Sequence, residues 1–347
     1  MTDAPSPPLV GERRARNAAS SARQPSHLDA SSSTGHTAAS ADGLGPYQLA
    51  QAAVYHAEDP SALVTRELVL DALPEGATAG VLAGTGAVEA LLGRIRFDAS
   101  SIVWLQRQPG LKTARPAFFR ELRVLRFLGQ LDWSTSRDPL EPGGRLLRLR
   151  CRRWVLPLIE ARIQGLLALH IGAATVARAA SEAVGGAPVI GTGPAGWLPP
   201  STACAVTAAA RAGGLSGTVH VEAGLRAAVP VWRLRTLSTL IGDEDNVTAD
   251  LPDESQPERS AAAIAARRGQ LAAVRLTRAT TAAELQRLRR ALDREDLRMV
   301  RILLDSDLSL PALAMLGQAG APIDLVGLRT RRMLLALDPA AVVARSA

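Results

Sequence analysis

The stretch Gly217-Thr218-Val219-His220-Val221-Glu222-Ala223-Gly224-Leu225-Arg226-Ala227-Ala228-Val229-Pro230 decides how the rest of this sequence is read. A short apolar run ends in an acidic residue, Glu222, and gives way to the small residues Ala223 and Gly224. In α/β barrels the ligand-binding groups stand at the carboxyl ends of the strands, and a carboxylate placed just before a small-residue turn is offered to a ligand there. The stretch therefore predicts a barrel strand with Glu222 at the pocket.

Outward from it, short apolar runs alternate with helical segments in the manner of βα repeats. Strands are expected at 188–192, 218–221, 229–232, 247–250, 273–277, 300–305 and 323–326, and helices at 200–211, 258–268, 281–294 and 310–318, after a long helix near 157–184. The acidic, Pro-containing segment 242–258 reads as a surface loop and not as a cation site. Upstream, 47–55 and 84–92 carry helical apolar faces, 66–73 alternates as a strand, and 129–150 reads as short strands punctuated by Pro139, Pro142, Gly143 and Gly144. Residues 1–42 are rich in Ser, Ala, Pro and Arg with almost no large apolar side chain, the composition of a disordered tail. The organisation expected is a tail at 1–42, an N-terminal α+β domain at 43–150 and an irregular or incomplete α/β barrel at 151–347.

Composition narrows the function classes. Hydrophobic residues make up 47% of the 347 residues, which suits a globular chain with ample core. The stretch nearest to a membrane span, 156–176, is interrupted by Glu160, Arg162, Gln164 and His170 at helical spacing and reads as a core helix. The formal charge of +7 comes almost wholly from arginine, Lys112 being the only lysine. Arg145, Arg148, Arg150, Arg152 and Arg153, and again Arg329, Arg331 and Arg332, raise the idea of a nucleic-acid surface, but no exposed aromatics are interleaved with them. Cys151 and Cys204 lie far apart without histidines at ligand spacing, so neither a zinc site nor a disulfide framework is implied, and a reducing cytoplasm suits them. Arg13-Arg14 lacks the apolar run of an export signal. The pattern Gly191-x-Gly193-x-x-Gly196 matches a dinucleotide fingerprint, but Pro194 and Pro199-Pro200 spoil the helix start that fingerprint needs.

Several of these stretches together resemble the nicotinate phosphoribosyltransferase family, which condenses nicotinic acid with phosphoribosyl pyrophosphate in the salvage route to NAD. Val219 to Arg226 with Val229-Pro230-Val231 is similar to its "SNxEAGxRxGIPVxGT" stretch. Arg66-Glu67-Leu68 through Leu73-Pro74, Ala83-Gly84, Phe127-Leu128-Gly129 and Leu146 to Leu149 resemble elements of its N-terminal half. Ile323-Asp324-Leu325-Val326-Gly327-Leu328-Arg329-Thr330 resembles its "IDGFGVGT" phosphate cradle. The resemblance covers roughly residues 43–335. It implies a type II phosphoribosyltransferase-like fold and assigns substrate binding to Tyr47, Glu222, Asp250, Asp307, Gly327, Arg329 and Thr330.

Transfer of a phosphoribosyl group needs cationic side chains for phosphate, carboxylates for metal and ribose, and glycine-rich backbone that approaches a phosphate closely. Here the sequence departs from the family. The Gly185-Gly186-Ala187-Pro188-Val189 strand is not followed by the arginines and histidine of "SRRxH". Leu237 stands where the family's phosphorylated histidine belongs, and leucine cannot accept a phosphoryl group. "RIDSGD" becomes Arg275-Leu276-Thr277-Arg278-Ala279-Thr280, without either aspartate, and Arg329 replaces a cradle glycine. No catalytic and no metal-ligating residue is assigned. The reading is a nicotinate phosphoribosyltransferase-like protein with a degenerate site, a pseudoenzyme acting as a binding or assembly module. The alternative is an active transferase with a rearranged site, using Mg²⁺ with phosphoribosyl pyrophosphate; nucleic-acid binding ranks below both. The resemblance also implies a homodimer, or a heteromer with an intact paralogue.

Overall fold

The computed structural model describes residues 44–134, 139–193, 198–235, 247–266 and 271–346. In chain order it comprises α1 (Pro46–Glu58), β1 (Leu63–Leu70), α2 (Thr85–Arg94), α3 (Ala99–Gln106), α4 (Pro116–Arg123), β2 (Gln130–Trp133), β3 (Arg145–Arg152) and α5 (Leu156–Ala183). Then follow β4 (Val189–Thr192), α6 (Pro200–Ala212), β5 (Leu215–Thr218), α7 (Val221–Ala227), β6 (Leu234–Arg235), β7 (Val247–Asp250), α8 (Pro257–Ala265), β8 (Leu271–Leu276) and α9 (Ala282–Arg294). The chain closes with β9 (Arg301–Leu304), α10 (Leu310–Gln318), β10 (Leu325–Arg329), α11 (Thr330–Leu334) and β11 (Val342–Ser346). The proposed tail, Leu237 and Gly196 lie outside the described residues.

Two sheets organise these elements. The first is antiparallel, in the order β11-β1-β3-β2. Its last strand comes from the carboxyl end of the chain, so Leu70 pairs with Val342 and residues from both ends of the sequence share one sheet. The second is parallel, in the order β5-β4-β10-β9-β8-β7-β6. It curls. Residues 230–235 link its two edges: at β5, Thr218 accepts from the Trp232 N–H at 2.8 Å and donates its own N–H to Pro230 O, while Leu234 and Arg235 form the opposite edge strand β6, paired with β7. The fold is thus an α+β layer followed by an irregular, incomplete α/β barrel, as expected from the alternation of apolar runs.

Helix α5 joins the two halves. Its first half, from Leu156 to Ile171, packs in the core under the antiparallel sheet, and its second half, from Ala173 to Ala180, packs in the helix layer outside the parallel sheet. By length and hydropathy alone it could cross a membrane, yet two thirds of its most apolar window is buried within the fold. Pro157 at the second helical position leaves no hydrogen bond unmade, because the first N–H groups of a helix have no partner. Gly84 marks a tight approach to α5. Its φ of 91° and the His170 Cβ only 2.6 Å from a hypothetical Cβ both demand glycine.

Each parallel strand has an outer and an inner face. Outward, Val189, Val274, Ile302, Leu304, Val326 and Leu328 pack against the helices. Inward, the register aligns Thr192 with Arg329, Leu303 with Arg275, and Arg275 with Asp250. Deeper inside, Ala273, Leu303 and Leu325 form a small apolar plug with Trp232. The inner face therefore changes from apolar to charged toward the carboxyl ends of the strands. Both cysteines are buried free thiols. Burial, helped by the charge of Glu160, pushes the Cys151 thiol up to about 12, so it behaves as a core side chain.

One strand boundary differs from the sequence reading in a way that bears on function. The strand expected at 218–221 ends at Thr218, and Val221 already opens α7. Gly224 explains the early turn. A Cβ there would meet Val231 Cγ2 at 2.5 Å, so the small residue lets α7 fold back onto the 229–232 segment. The 229–232 segment itself makes a single bridge to Thr218 and is no full strand.

Candidate functional site

At the carboxyl ends of β4, β10, β9, β8 and β7 a connected polar network crosses the barrel mouth. The Thr192 hydroxyl donates to Asp305 Oδ1 at 2.6 Å. Arg275 Nη1 donates to Asp305 Oδ2 at 3.2 Å, and Arg275 Nε to Asp250 Oδ1 at 2.5 Å. Asp305 is only 4% exposed, and burial raises its pKa, a rise that the Thr192 hydrogen bond and the positive charges of Arg275 and Arg329 oppose. Burial by itself would lower the Arg275 guanidinium, but its bond to Asp250 and the charges of Asp250 and Asp305 outweigh that and raise it.

Gly327 makes this network geometrically feasible. It lies on β10, between the strands that carry Thr192 and Asp305, and a Cβ on it would stand 2.6 Å from Asp305 Cβ. Any larger residue would push the carboxylate out of reach of Thr192.

Beside this network, a cavity of about 850 Å³ opens between the ends of β4 and β10, α11 and the loops at Glu75 and Asp307. Arg329, Arg331 and Arg332 line it together with His220, Thr330 and Gly193, and Val176, Leu198, Leu310, Leu334 and Leu335 supply its apolar wall. The Thr330 hydroxyl donates to the Thr192 carbonyl at 2.9 Å and lies 3.2 Å from His220 Nε2. Arg329 Nη1 is 3.9 Å from the exposed carboxylate of Asp307. Burial lowers the Arg332 guanidinium, and Asp307 and Glu75 partly offset it; at any ordinary pH it stays charged. Burial also lowers His220. Mixed walls with a few convergent charged groups are what a small anionic ligand requires.

A second cavity of about 790 Å³ lies against β2, β3 and α4, lined by Arg126, Leu128, Arg150 and Cys151 among others. None of the residues of the buried polar network lines it. The strand-end cavity is therefore the candidate site.

No family model matches the chain. In sequence it is 26% identical over 297 residues to nicotinate phosphoribosyltransferase pncB1 of Mycobacterium tuberculosis, with 77% of this chain and 62% of that protein covered. In fold it is similar to human nicotinic acid phosphoribosyltransferase, with a TM-score of 0.62 and 18% identity over 87% of this chain and 73% of that one. In sequence and in fold the chain is similar to nicotinate phosphoribosyltransferases. A nicotinate-nucleotide pyrophosphorylase from Pyrococcus furiosus shares the fold at a TM-score of 0.64 and 17% identity, covering 87% of this chain and 73% of that one. The chain spans less than two thirds of the length of the curated nicotinate phosphoribosyltransferase that it matches.

The residues that the family resemblance assigns to substrate fall into three places. Arg329, Thr330 and Asp307 line the strand-end cavity, and Gly327 and Asp250 belong to the network beside it. Glu222 is placed elsewhere: it lies in the first turn of α7, half exposed, and is paired with Arg226 at 2.7 Å. The neighbouring His220 lines the cavity. Tyr47 is 73% exposed on the first turn of α1 and is not among the cavity-lining residues. Nearby Tyr55 carries the Arg153 guanidinium 4.0 Å above its ring.

Thr192, Arg275 and Asp305 were not among the sequence candidates. A signal existed for two of them. Arg275 lies near the carboxyl end of one apolar strand run and Asp305 just past the end of the next, one βα unit on, which brings both toward a barrel mouth. Arg329, Arg331 and Arg332, grouped by sequence as a basic surface run, surround a cavity with apolar walls.

Proposed function

We propose that this chain is a nicotinate phosphoribosyltransferase-like protein that binds a phosphate-bearing ligand of the NAD-salvage type in the strand-end cavity and is impaired in phosphoribosyl transfer. One observation carries the proposal: Arg275, the cation at the centre of the barrel mouth, is held by two carboxylates of its own chain. Its charge is committed to Asp250 and Asp305 and is not free for a pyrophosphate leaving group. Catalysis depends on preorganised groups stronger in the transition state than in the ground state, and one misplaced charge contact commonly costs about a hundredfold to a thousandfold in rate.

The Mg²⁺ that accompanies phosphoribosyl pyrophosphate in the active reading finds a poor match here. Asp250 and Asp305 already accept hydrogen bonds from Arg275, and Asp305 accepts another from Thr192. These carboxylates do not fit a hard cation that demands open oxygen ligands in near-octahedral array.

A second reading, an active transferase with a rearranged site, draws on Arg329, Arg331 and Arg332 around the cavity. Calorimetric titration with phosphoribosyl pyrophosphate and nicotinate mononucleotide tests the binding half of the proposal, with ribose 5-phosphate as competitor. Saturable, competitive binding supports it; silence toward all three contradicts it. Assembly as a homodimer, or with an intact paralogue, belongs to the same proposal and is checked by sedimentation.

A further inference from the structure

The hydrogen-bond pattern around Thr330 fixes the protonation of His220. A hydroxyl has one proton to donate, and that of Thr330 goes to the Thr192 carbonyl, which can only accept. His220 Nε2, 3.2 Å from the same oxygen, must then be the donor. In the neutral ring Nδ1 is left as a bare acceptor. Among the described residues it has no hydrogen-bond partner, and it is not among the buried unpartnered atoms, so it keeps access to solvent; His220 is one of the residues that line the cavity.

A bare acceptor facing an anion site is a mismatch. The oxygens of a dianionic phosphate can only accept, and so can Nδ1, so the two repel until one proton lies between them. Protonation of His220 turns Nδ1 into a donor and adds a positive charge beside Arg329. We infer that the strand-end cavity takes up its phosphomonoester ligand together with a proton, held on His220 Nδ1. This inference rests on the anion-binding reading above and adds to it a coupling to pH.

The charges around the ring set the direction. Arg329, Arg331 and Arg332 line the cavity from the end of β10 and from α11, and burial disfavours the imidazolium when the cavity is empty. Asp307 and Glu75 oppose them from the neighbouring loops, Asp305 lies behind Thr192, and on the ring's own side Glu222 and Arg226 neutralise each other. A bound dianion reverses the balance and raises the pKa of His220. By linkage, the affinity is highest below that pKa and falls as pH rises through it.

Sulfate isolates the histidine, because it has no proton of its own to lose in this range. Titration of the full chain with sulfate and with ribose 5-phosphate, from about pH 5.5 to about pH 8, is expected to show affinity falling by up to about tenfold per pH unit. Heats measured in buffers of different ionisation enthalpy should reveal uptake of up to one proton. His220→Asn should bind with a flat profile and no proton uptake. Histidine side-chain NMR gives a readout on the unaltered chain: an Nε2–H tautomer, with a pKa that rises when sulfate is added. A flat sulfate profile, an unmoved His220 pKa, or an equal slope in His220→Asn overturns the coupling and leaves the anion site standing. Absence of binding at every pH overturns both.

Discussion

Thr192 and Asp305 share a 2.6 Å hydrogen bond although their strands are not neighbours. The strand between them presents Gly327, and the absence of a side chain there lets the carboxylate lie across the sheet. From this pair the rest of the site follows. It fixes Asp305 against Arg275, which in turn spends its charge inside the protein.

Gly327→Ala is expected to break that bond. The new methyl meets Asp305 Cβ at a distance real Cβ atoms do not tolerate, and overpacking of this kind costs about 1–3 kcal/mol. Denaturant unfolding reads the loss, and an unchanged midpoint would show that the carboxylate moves aside freely.

Arg275→Met removes the partner of a buried carboxylate. Asp250 is about a third exposed and can turn to water, whereas Asp305 cannot. Breaking a buried pair from one side costs about 3–5 kcal/mol. The variant should escape part of this by protonating Asp305. Its folded pKa then lies further above the unfolded value, so stability is present at low pH and is lost as pH rises through the folded pKa. Adding Asp305→Asn should restore stability at neutral pH. Unfolding curves of the three chains at acid and neutral pH check the sign.

Glu284 gives the opposite pH dependence. It closes the capping box of α9, and backbone and side-chain hydrogen bonds from Thr281 and Arg278 hold its carboxyl down to about 2. A depressed pKa stabilises the fold above the unfolded value and loses that effect as pH falls toward the folded one. Glu284→Gln should therefore be less stable at neutral pH, by about 1 kcal/mol or less for so exposed a group. The difference from the parent should close near the acid end. A gap that widens on acidification would contradict the assignment.

Arg329→Ala and Arg332→Ala are each expected to weaken ribose 5-phosphate binding by about 1.5–3 kcal/mol, the range for hydrogen bonds to charged groups. Glu222→Gln should leave it unchanged, since Glu222 pairs with Arg226 in solvent. Calorimetry separates the two expectations, and a large effect of Glu222→Gln would restore that residue to the site.

Most of the fold is legible in the sequence because its signals are local. Val247–Asp250 and Leu310–Gln318 appear where periodicity places them, and Thr281 with Glu284 spells out a helix start. The site is legible only in part. Arg329 and Thr330 come from one contiguous stretch, but the contact of Thr192 with Asp305 spans 113 positions and depends on a missing side chain on a third strand. Glu222 shows the converse. Its apolar run promises a strand to residue 221, yet Gly224 permits a tighter packing, and the strand ends at Thr218 with a helix opening at Val221.

In the proposed function this barrel keeps an anion cavity while its mouth has neutralised the cation that transfer would use. Pyrophosphate release from phosphoribosyl pyrophosphate, with nicotinate and Mg²⁺, measures it most directly, run beside calorimetry on the same preparation. Saturable binding of the phosphorylated ligand without multiple-turnover pyrophosphate release is the predicted result. Sustained release at saturating substrate would contradict it.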